Sequence, residues 1–325
     1  MPDYKVNDFV AVREAFGDTL AKLGKKIPTL IVLDGETANS TYTDKFQKQF
    51  PERFLEMFIA EQNMASVGLG LSKMGFIPVI ATFAAFWTRA FDQIRMAQYS
   101  NPNLKFTGSH AGVAIGADGS SQMGLEDIAM FRSILDSIVF YPADAVSAAK
   151  LTHIMIKEPG LFYLRATRNK TPVIYDDEEE FHIGGSKVHQ VRRVSKVNKE
   201  KVLIIAAGIT VHEALKAQQQ LAKDGIEAIV LDCYSVKPLD TDTINHLIKS
   251  TKNIIIVEDH YPAGGLGEAI FSTVNNRSEI QQYNNCIHLA VNKIPRSGTP
   301  EQLLSYEEID AAAIVKSAKK ILSIK

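Results

Sequence analysis

Short apolar runs, rich in β-branched and aromatic residues, alternate with segments of helical periodicity along almost the whole sequence. In the first half these runs predict strands at Thr29–Leu33, Phe54–Ile59, Ile77–Phe83, Leu104–Thr107, Ser137–Tyr141 and Leu161–Arg165. Strands this apolar are typical of a parallel sheet whose two faces are both covered by helices. The alternation therefore predicts an α/β fold.

Helical segments lie between these runs. Phe86–Tyr99 has apolar residues at helical spacing, and so does Leu125–Ile134, which follows the possible N-caps Ser120 and Ser121.

A charge-rich stretch interrupts the pattern. The acidic run Asp176–Glu180 is followed by the polar, basic segment Lys187–Lys201, which we interpret as a solvated linker containing an antiparallel edge strand. A second alternation then predicts strands Val202–Ala206, Ile226–Leu231, Asn253–Val257 and Cys286–Val291, and helices Val211–Lys223, Thr241–Ser250, Gly267–Val274 and Ile309–Ile321. We predict two α/β domains, residues 1–190 and 191–325, each a mostly parallel sheet with helices on both faces.

Composition limits the classes of function. A chain of 325 residues is long enough for two hydrophobic cores, and a net charge of −1 indicates neither nucleic acid nor a membrane surface as a partner. Two cysteines, Cys233 and Cys286, are too few for a disulfide framework, so we expect buried free thiols. The polar N-terminus, Met1–Lys5, and the lack of a long apolar run favour a cytoplasmic protein.

Glu61 follows the apolar run at Phe54–Ile59 and precedes a helical segment rich in small residues. Ligands of open α/β sheets bind beyond the carboxyl ends of the strands, where a carboxylate in a nearly dry site could share a proton with a ligand nitrogen. The alternative is an acid that only complements the helix dipole. Phe83 and Phe86 stand at the end of the next strand, where aromatic rings either flank a flat ligand or fill the core.

The loop from Thr107 to Gln122 is dense in Gly, Ser, His and Asp and follows a strand, which is typical of a functional loop. Arg13 lies inside the first predicted helix, close to its apolar face; Ser40 lies in the loop that begins at Asp34, and Arg168 follows the strand Leu161–Arg165. Arginine is suited to phosphate, but taken alone each of these residues is better explained by an ordinary salt bridge. A third feature, Gly264–Gly267, superficially resembles a dinucleotide fingerprint, but its placement favours tight helix–sheet packing.

The order of motifs resembles the second half of transketolase over almost the whole chain. The matching segments are Glu61–Met64, Thr82–Phe86, Arg89–Met96, Gly108–His110, Asp118–Met123, Leu125–Asp127, Val257–Tyr261 and Ile294–Gly298. Each segment alone is weak, but their combination in this order is specific.

The resemblance implies thiamine diphosphate as cofactor. Glu61 is similar to the family's glutamate that hydrogen-bonds N1′ of the aminopyrimidine and makes it catalytically competent. Phe83 and Phe86 resemble the aromatic residues that pack on this ring. Arg89, which stands where relatives carry Tyr or Arg, is also expected to contact the cofactor.

The resemblance also implies a sugar-phosphate substrate. Arg13, Ser40, His110 and Arg168 match the family's phosphate-binding residues. Asp118 matches the residue that reads a donor hydroxyl, and Gln122 stands where relatives have Gln or His near the C1 hydroxyl. The implied reaction transfers a two-carbon ketol unit from a ketose phosphate such as xylulose 5-phosphate to an aldose phosphate such as ribose 5-phosphate.

The family's diphosphate-binding domain, with its Gly-Asp-Gly motif and Mg²⁺ ligands, has no counterpart in the sequence. Gly116–Gly119 lacks the Asn partner of that motif, so we predict no metal ligand in this chain. Since the chain begins at Met1 and ends in a C-terminal domain, we expect the second subunit of a split enzyme. Its partner would be a diphosphate-binding subunit that holds Mg²⁺ or Ca²⁺, in an α2β2 assembly.

Three alternatives stay open. One is the β-subunit of a 2-oxoacid dehydrogenase E1 component, which has the same fold and glutamate but lacks the predicted sugar-phosphate residues. Another is 1-deoxyxylulose 5-phosphate synthase, which is normally a single chain. The third is a non-catalytic, partner-binding protein that kept the fold.

Overall fold

The computed structural model describes residues 3–190, 201–273 and 285–323. Its strands are β1 Phe9–Ala11, β2 Leu30–Asp34, β3 Phe54–Glu56, β4 Ile77–Phe83, β5 Leu104–Ser109, β6 Ile138–Phe140, β7 Leu161–Arg165, β8 Lys170–Pro172, β9 Lys187–Gln190, β10 Lys201–Ala206, β11 Glu227–Asp232, β12 Ser235–Lys237, β13 Asn253–Val257 and β14 Cys286–Leu289.

The helices cover the sheets. They are α1 Val12–Gly24, α2 Ala38–Thr41, α3 Asp44–Gln47, α4 Glu61–Lys73, α5 Phe91–Gln98, α6 Asp127–Arg132, α7 Ala145–Lys157, α8 Ile209–Lys223, α9 Thr241–Ser250, α10 Leu266–Thr273, α11 Pro300–Tyr306 and α12 Ala311–Ile321. Short 3₁₀ helices span Pro51–Arg53, Ala84–Ala90 and Ser120–Gln122.

The first domain is built on a seven-stranded sheet with the order β12-β6-β7-β5-β4-β2-β3. All neighbours are parallel except β12, which runs antiparallel to β6. The carboxyl ends of β7, β5, β4 and β2 therefore lie side by side at one edge. This edge is where a parallel α/β sheet binds its ligands.

The second domain is built on a five-stranded sheet with the order β14-β13-β10-β11-β9. It is parallel except for β9, which pairs antiparallel with β11 and confirms the predicted edge strand. Strand β9 precedes residues 191–200 but belongs to the second sheet, and β12 follows them but belongs to the first sheet. Each domain therefore contributes one strand to the sheet of the other. Residues 191–200, the remainder of the predicted linker, lie outside the described residues.

The predicted fold class is confirmed, but several local predictions are wrong. Ser120 and Ser121 are not caps of α6, which begins only at Asp127; Ser120 instead opens a 3₁₀ turn. The predicted helix from Phe86 has a 3₁₀ first part, because buried Trp87 donates its indole N–H to the Thr107 carbonyl at 3.1 Å and tightens the segment. Cys286 is only half-buried, since β14 is the edge strand.

The segment between β3 and α4 also differs from the prediction. The strand ends at Glu56 because its carboxylate accepts the N–H groups of Phe58 and Glu36, both at 2.9 Å, which turns the chain. Phe58 has a φ of 54°, and both Phe58 and Ile59 are exposed. Glu61 therefore opens α4 after a turn rather than directly after a strand.

The glycines around α10 serve packing. A side-chain carbon added at Gly265 would lie 2.2 Å from a Glu258 carboxylate oxygen, and one at Gly267 would lie 2.4 Å from the His288 ring. These close approaches confirm the packing interpretation of Gly264–Gly267.

Across the described ranges, helices that are both long and apolar enough to cross a bilayer are absent.

A buried charge cluster joins the two domains. The Arg165 guanidinium, at the end of β7, donates to Asp127 and Asp259 carboxylate oxygens, both at 2.8 Å. Tyr163 donates to Asp127 at 2.6 Å, and Tyr141 donates to Asp259 at 2.9 Å. Arg165 and both aspartates have side-chain exposures of 0%. Asp259 follows β13 of the second domain, so these hydrogen bonds fix one domain against the other.

We predict that Arg165→Met lowers the free energy of unfolding by about 3–5 kcal/mol, because two buried carboxylates lose their cation. Urea unfolding measures this change. Arg95→Met is the matched control, since Arg95 is half-exposed and pairs only with exposed Asp92 among the salt bridges described. An equally small effect of both substitutions would contradict the role assigned to Arg165.

Candidate active site

The predicted site residues of the first domain gather at one edge of its sheet. Phe83 ends β4, His110 follows β5, and Arg168 follows β7 by a short loop. Ser40 lies in α2, in the connection after β2, and Arg13 lies in the first turn of α1. Adjacent parallel strands thus bring together residues that are far apart in the sequence.

Glu61 is the buried acid of the site. It is the first residue of α4, and its side chain is 1% exposed. Arg89, from the 3₁₀ segment after β4, directs Nη1 at both carboxylate oxygens, at 2.8 and 2.9 Å. The position at a helix N-terminus favours a negative charge there.

Aromatic rings lie on the same side of the sheet. Phe83 and Phe86 are half-buried and nearly parallel, with ring centroids 5.2 Å apart and an interplanar angle of 19°. His110 stacks on Phe83 at 3.8 Å. The site therefore offers flat apolar surface beside a buried carboxylate.

His110 is held in a fixed orientation and without charge. Its φ of 56° is uncommon for a side-chain-bearing residue and turns the chain sharply after β5. The Ser109 hydroxyl lies 3.0 Å from Nδ1. Burial, with the nearby charges of Arg13 and Arg168, lowers the pKa of His110 to about 3. A neutral imidazole offers a ligand one donor and one acceptor nitrogen.

Two guanidinium groups lie beside His110. Arg13 donates from Nε to the Arg168 carbonyl at 3.0 Å and from Nη1 to the Ser40 carbonyl. Arg168 donates to the Ile115 carbonyl at 2.6 Å and forms an ion pair with Asp118 at 3.3 Å. This arrangement of positive charge, partly open to solvent, suits a phosphate group.

Asp118 and Gln122 lie on the loop after β5. The Asp118 carboxylate is 3.8 Å from His110 Nε2, so it belongs to the same cluster. Gln122 ends the 3₁₀ turn Ser120–Gln122. Over the described part of the chain, its side chain has no hydrogen bond to the other predicted site residues.

Asp34 supports the site, but sequence reasoning gave it no role. It is buried at the end of β2 and accepts hydrogen bonds from the Thr37 N–H and from the hydroxyls of Thr41 and Thr43, at 2.6 to 2.8 Å. Burial raises its pKa, while these hydrogen bonds lower it. They shape the loop that carries Ser40. An aspartate followed by threonines three, seven and nine positions later was the available signal.

The residues fit one end of a thiamine cofactor. A buried carboxylate next to parallel aromatic rings matches an aminopyrimidine, which needs a hydrogen-bond partner and a flat contact surface. A diphosphate with its metal ion would need a cluster of oxygen ligands. In the ranges that the structure covers, no group of three or more His, Cys, Asp or Glu side chains is arranged to hold a metal.

Comparison with known proteins agrees with this geometry. Residues 8–173 match the family described as transketolase, pyrimidine binding domain, and residues 190–314 match transketolase, C-terminal domain. The chain belongs to the transketolase family.

Individual relatives are similar over nearly all of the chain. Transketolase-like protein 2 of Mus musculus is 49% identical over 98% of the chain and 50% of its own length. Transketolase of Homo sapiens is 45% identical over 99% of the chain and 51% of its own length. The chain thus spans about half the length of these relatives. A solved structure described as a split gene transketolase, an inactive β4 tetramer, is 34% identical with a TM-score of 0.84, covering 97% of this chain and 99% of its own.

We predict that the His110 imidazole stays neutral between about pH 5 and about pH 8, because burial and two neighbouring guanidinium groups disfavour its charged form. NMR of the imidazole carbons should show no titration step for His110 in this range. A step centred near the ordinary pKa of 6.5 would contradict the electrostatic description of the site.

Proposed function

We propose that this chain is one subunit of a split transketolase. With a diphosphate-binding partner it would transfer a two-carbon ketol unit from a ketose phosphate, such as xylulose 5-phosphate, to an aldose phosphate, such as ribose 5-phosphate. The observation that carries the proposal is a single sheet edge that holds a carboxylate with aromatic rings and, next to them, a neutral histidine with two arginines.

The pyrimidine end of thiamine diphosphate would bind against Phe83 and Phe86, with Arg89 nearby and Glu61 hydrogen-bonded to N1′. When bound, the cofactor supplies a nucleophilic carbon that carries the two-carbon unit between sugars. Glu61 would hold a proton in its hydrogen bond to N1′ and pass it to and from that atom. Its burial excludes water from this exchange.

The sugar phosphate would bind at the other end of the cluster. Arg13 and Arg168, with Ser40, hold the phosphate, since guanidinium groups bind phosphate oxygens in pairs. His110 and Asp118 would contact sugar hydroxyls, and the lack of charge on His110 lets it both donate and accept. Gln122 would contact the C1 hydroxyl of the donor.

The partner would be a transketolase N-terminal subunit that binds the diphosphate and its Mg²⁺ or Ca²⁺. We assign residues 1–190 to the pyrimidine-binding domain and 191–325 to the C-terminal domain, and infer self-association into an α2β2 enzyme. The solved split gene relative, an inactive β4 tetramer, supports both a separate subunit and its self-association. We place the enzyme in the cytoplasm and in the pentose phosphate pathway.

The relatives favour this function over the alternatives. Those compared above are transketolases or transketolase-like proteins. A 2-oxoacid dehydrogenase subunit binds no sugar phosphate, so it would not need Arg13, Arg168 and His110 together.

The test is an assay of the complex with its diphosphate-binding partner, supplied with thiamine diphosphate and Mg²⁺, xylulose 5-phosphate and ribose 5-phosphate. We predict that Glu61→Gln lowers kcat at least about a hundredfold, the usual effect of removing a group that transfers a proton. Glu52→Gln is the control, because Glu52 is exposed and lies outside the site. Ketol transfer that survives Glu61→Gln would contradict the role of Glu61, and a cofactor-loaded complex without any transfer would refute the function.

A further inference from the structure

Arg89 and Glu61 form a pair that the proposed chemistry does not require. Arg89 Nη1 donates to both Glu61 oxygens, at 2.8 and 2.9 Å. These oxygens are the atoms that would meet the pyrimidine ring. The Arg89 guanidinium thus already occupies the hydrogen-bonding position at Glu61 that the pyrimidine ring would need.

The two partners differ in their freedom to move. Glu61 is 1% exposed at its side chain, whereas Arg89 is 48% exposed. A buried carboxylate that loses its partner is costly, but a guanidinium that turns outward is hydrated by water. Arg89 is therefore the movable member of the pair.

Arg89 also lies against the predicted binding surface for the ring. Its guanidinium carbon is 5.2 Å from the centroid of the Phe86 ring. A flat ligand that packs on Phe86 and reaches Glu61 would meet Arg89 in this position. The ligand would occupy the space that the Arg89 guanidinium now fills.

Hydrogen-bond chemistry points to the same competition. A guanidinium only donates, so it needs carboxylate oxygens that accept. If Glu61 takes up a proton from water and donates it in a hydrogen bond to a ring nitrogen, one of its oxygens becomes a donor and the carboxyl loses its negative charge. The double contact of Arg89 Nη1 with the two oxygens is then weakened.

We propose that Arg89 is a displaceable positioning residue, which holds the Glu61 carboxylate while the pyrimidine ring is absent and leaves it when the ring enters. The inference rests on the proposed function, since the ligand is the aminopyrimidine of thiamine diphosphate. Arg89 then stabilises the cofactor-free state more than the cofactor-bound state. Removing the charge of Arg89 destabilises only the cofactor-free state, so the free energy of cofactor binding becomes more favourable.

The first test needs no cofactor. Thermal unfolding of the full chain is measured for Arg89→Met, Glu61→Gln and the double variant; methionine keeps an apolar stem on Phe86. We expect Arg89→Met to lower the melting temperature in the native background and to change it little in the Glu61→Gln background. Arg89→Lys should restore most of the loss, and Arg95→Met should cause none. Additive effects in the double variant would overturn the pairing.

The second test is calorimetric titration of thiamine diphosphate, with Mg²⁺, into the complex with the partner subunit. We expect Arg89→Met to lower the Kd for thiamine diphosphate about tenfold, because the ligand no longer has to break one charged hydrogen bond. The Kd of Arg89→Lys should stay near the native value. A Kd that rises or stays unchanged would overturn displacement. If the native complex binds no cofactor, the proposed function fails too, and the unfolding cycle still shows whether the pair itself exists.

Discussion

The buried guanidinium of Arg165 is the constraint on which the arrangement of the two domains depends. A guanidinium without solvent must be paired on all sides, and the partners of Arg165 come from α6, the loop before α6 and the segment after β13. Arg168 follows Arg165 closely in the chain, so the cluster also fixes the start of the loop that carries Arg168. The ionic network that joins the domains thus lies beneath the candidate active site.

The same junction restricts the space before the first helix of the second domain. In an α/β domain the helix N-terminus after a parallel strand commonly binds a ligand. Here a side-chain carbon added at Gly208, just before α8, would lie 2.0 Å from the Tyr141 ring of the first domain. The hydroxyl of Tyr141 is in turn bonded to Asp259. Packing between the domains thus closes the space directly at Gly208.

The sequence predicted those features that depend on local pattern. The bounds of β4, β7, β13 and α9 agree to the residue, because apolar runs with clear ends determine them. The crossing of β9 and β12 into opposite sheets and the 3₁₀ segment with Trp87 could not be predicted, since each depends on contacts with a distant part of the chain. Arg165 and Asp259 are 94 positions apart, and neither stands in a periodic pattern that indicates a partner. For the site, strand ends predicted the edge and the resemblance supplied roles, but the pairing of Arg89 with Glu61 required coordinates.

We propose that this chain supplies half of an active site. The test is the ketol-transfer rate measured as a purified diphosphate-binding subunit is added to a fixed amount of this chain, at saturating cofactor and substrates. We predict no turnover by either subunit alone, and a rate that rises linearly and saturates at a one-to-one molar ratio. Turnover by this chain alone would contradict it.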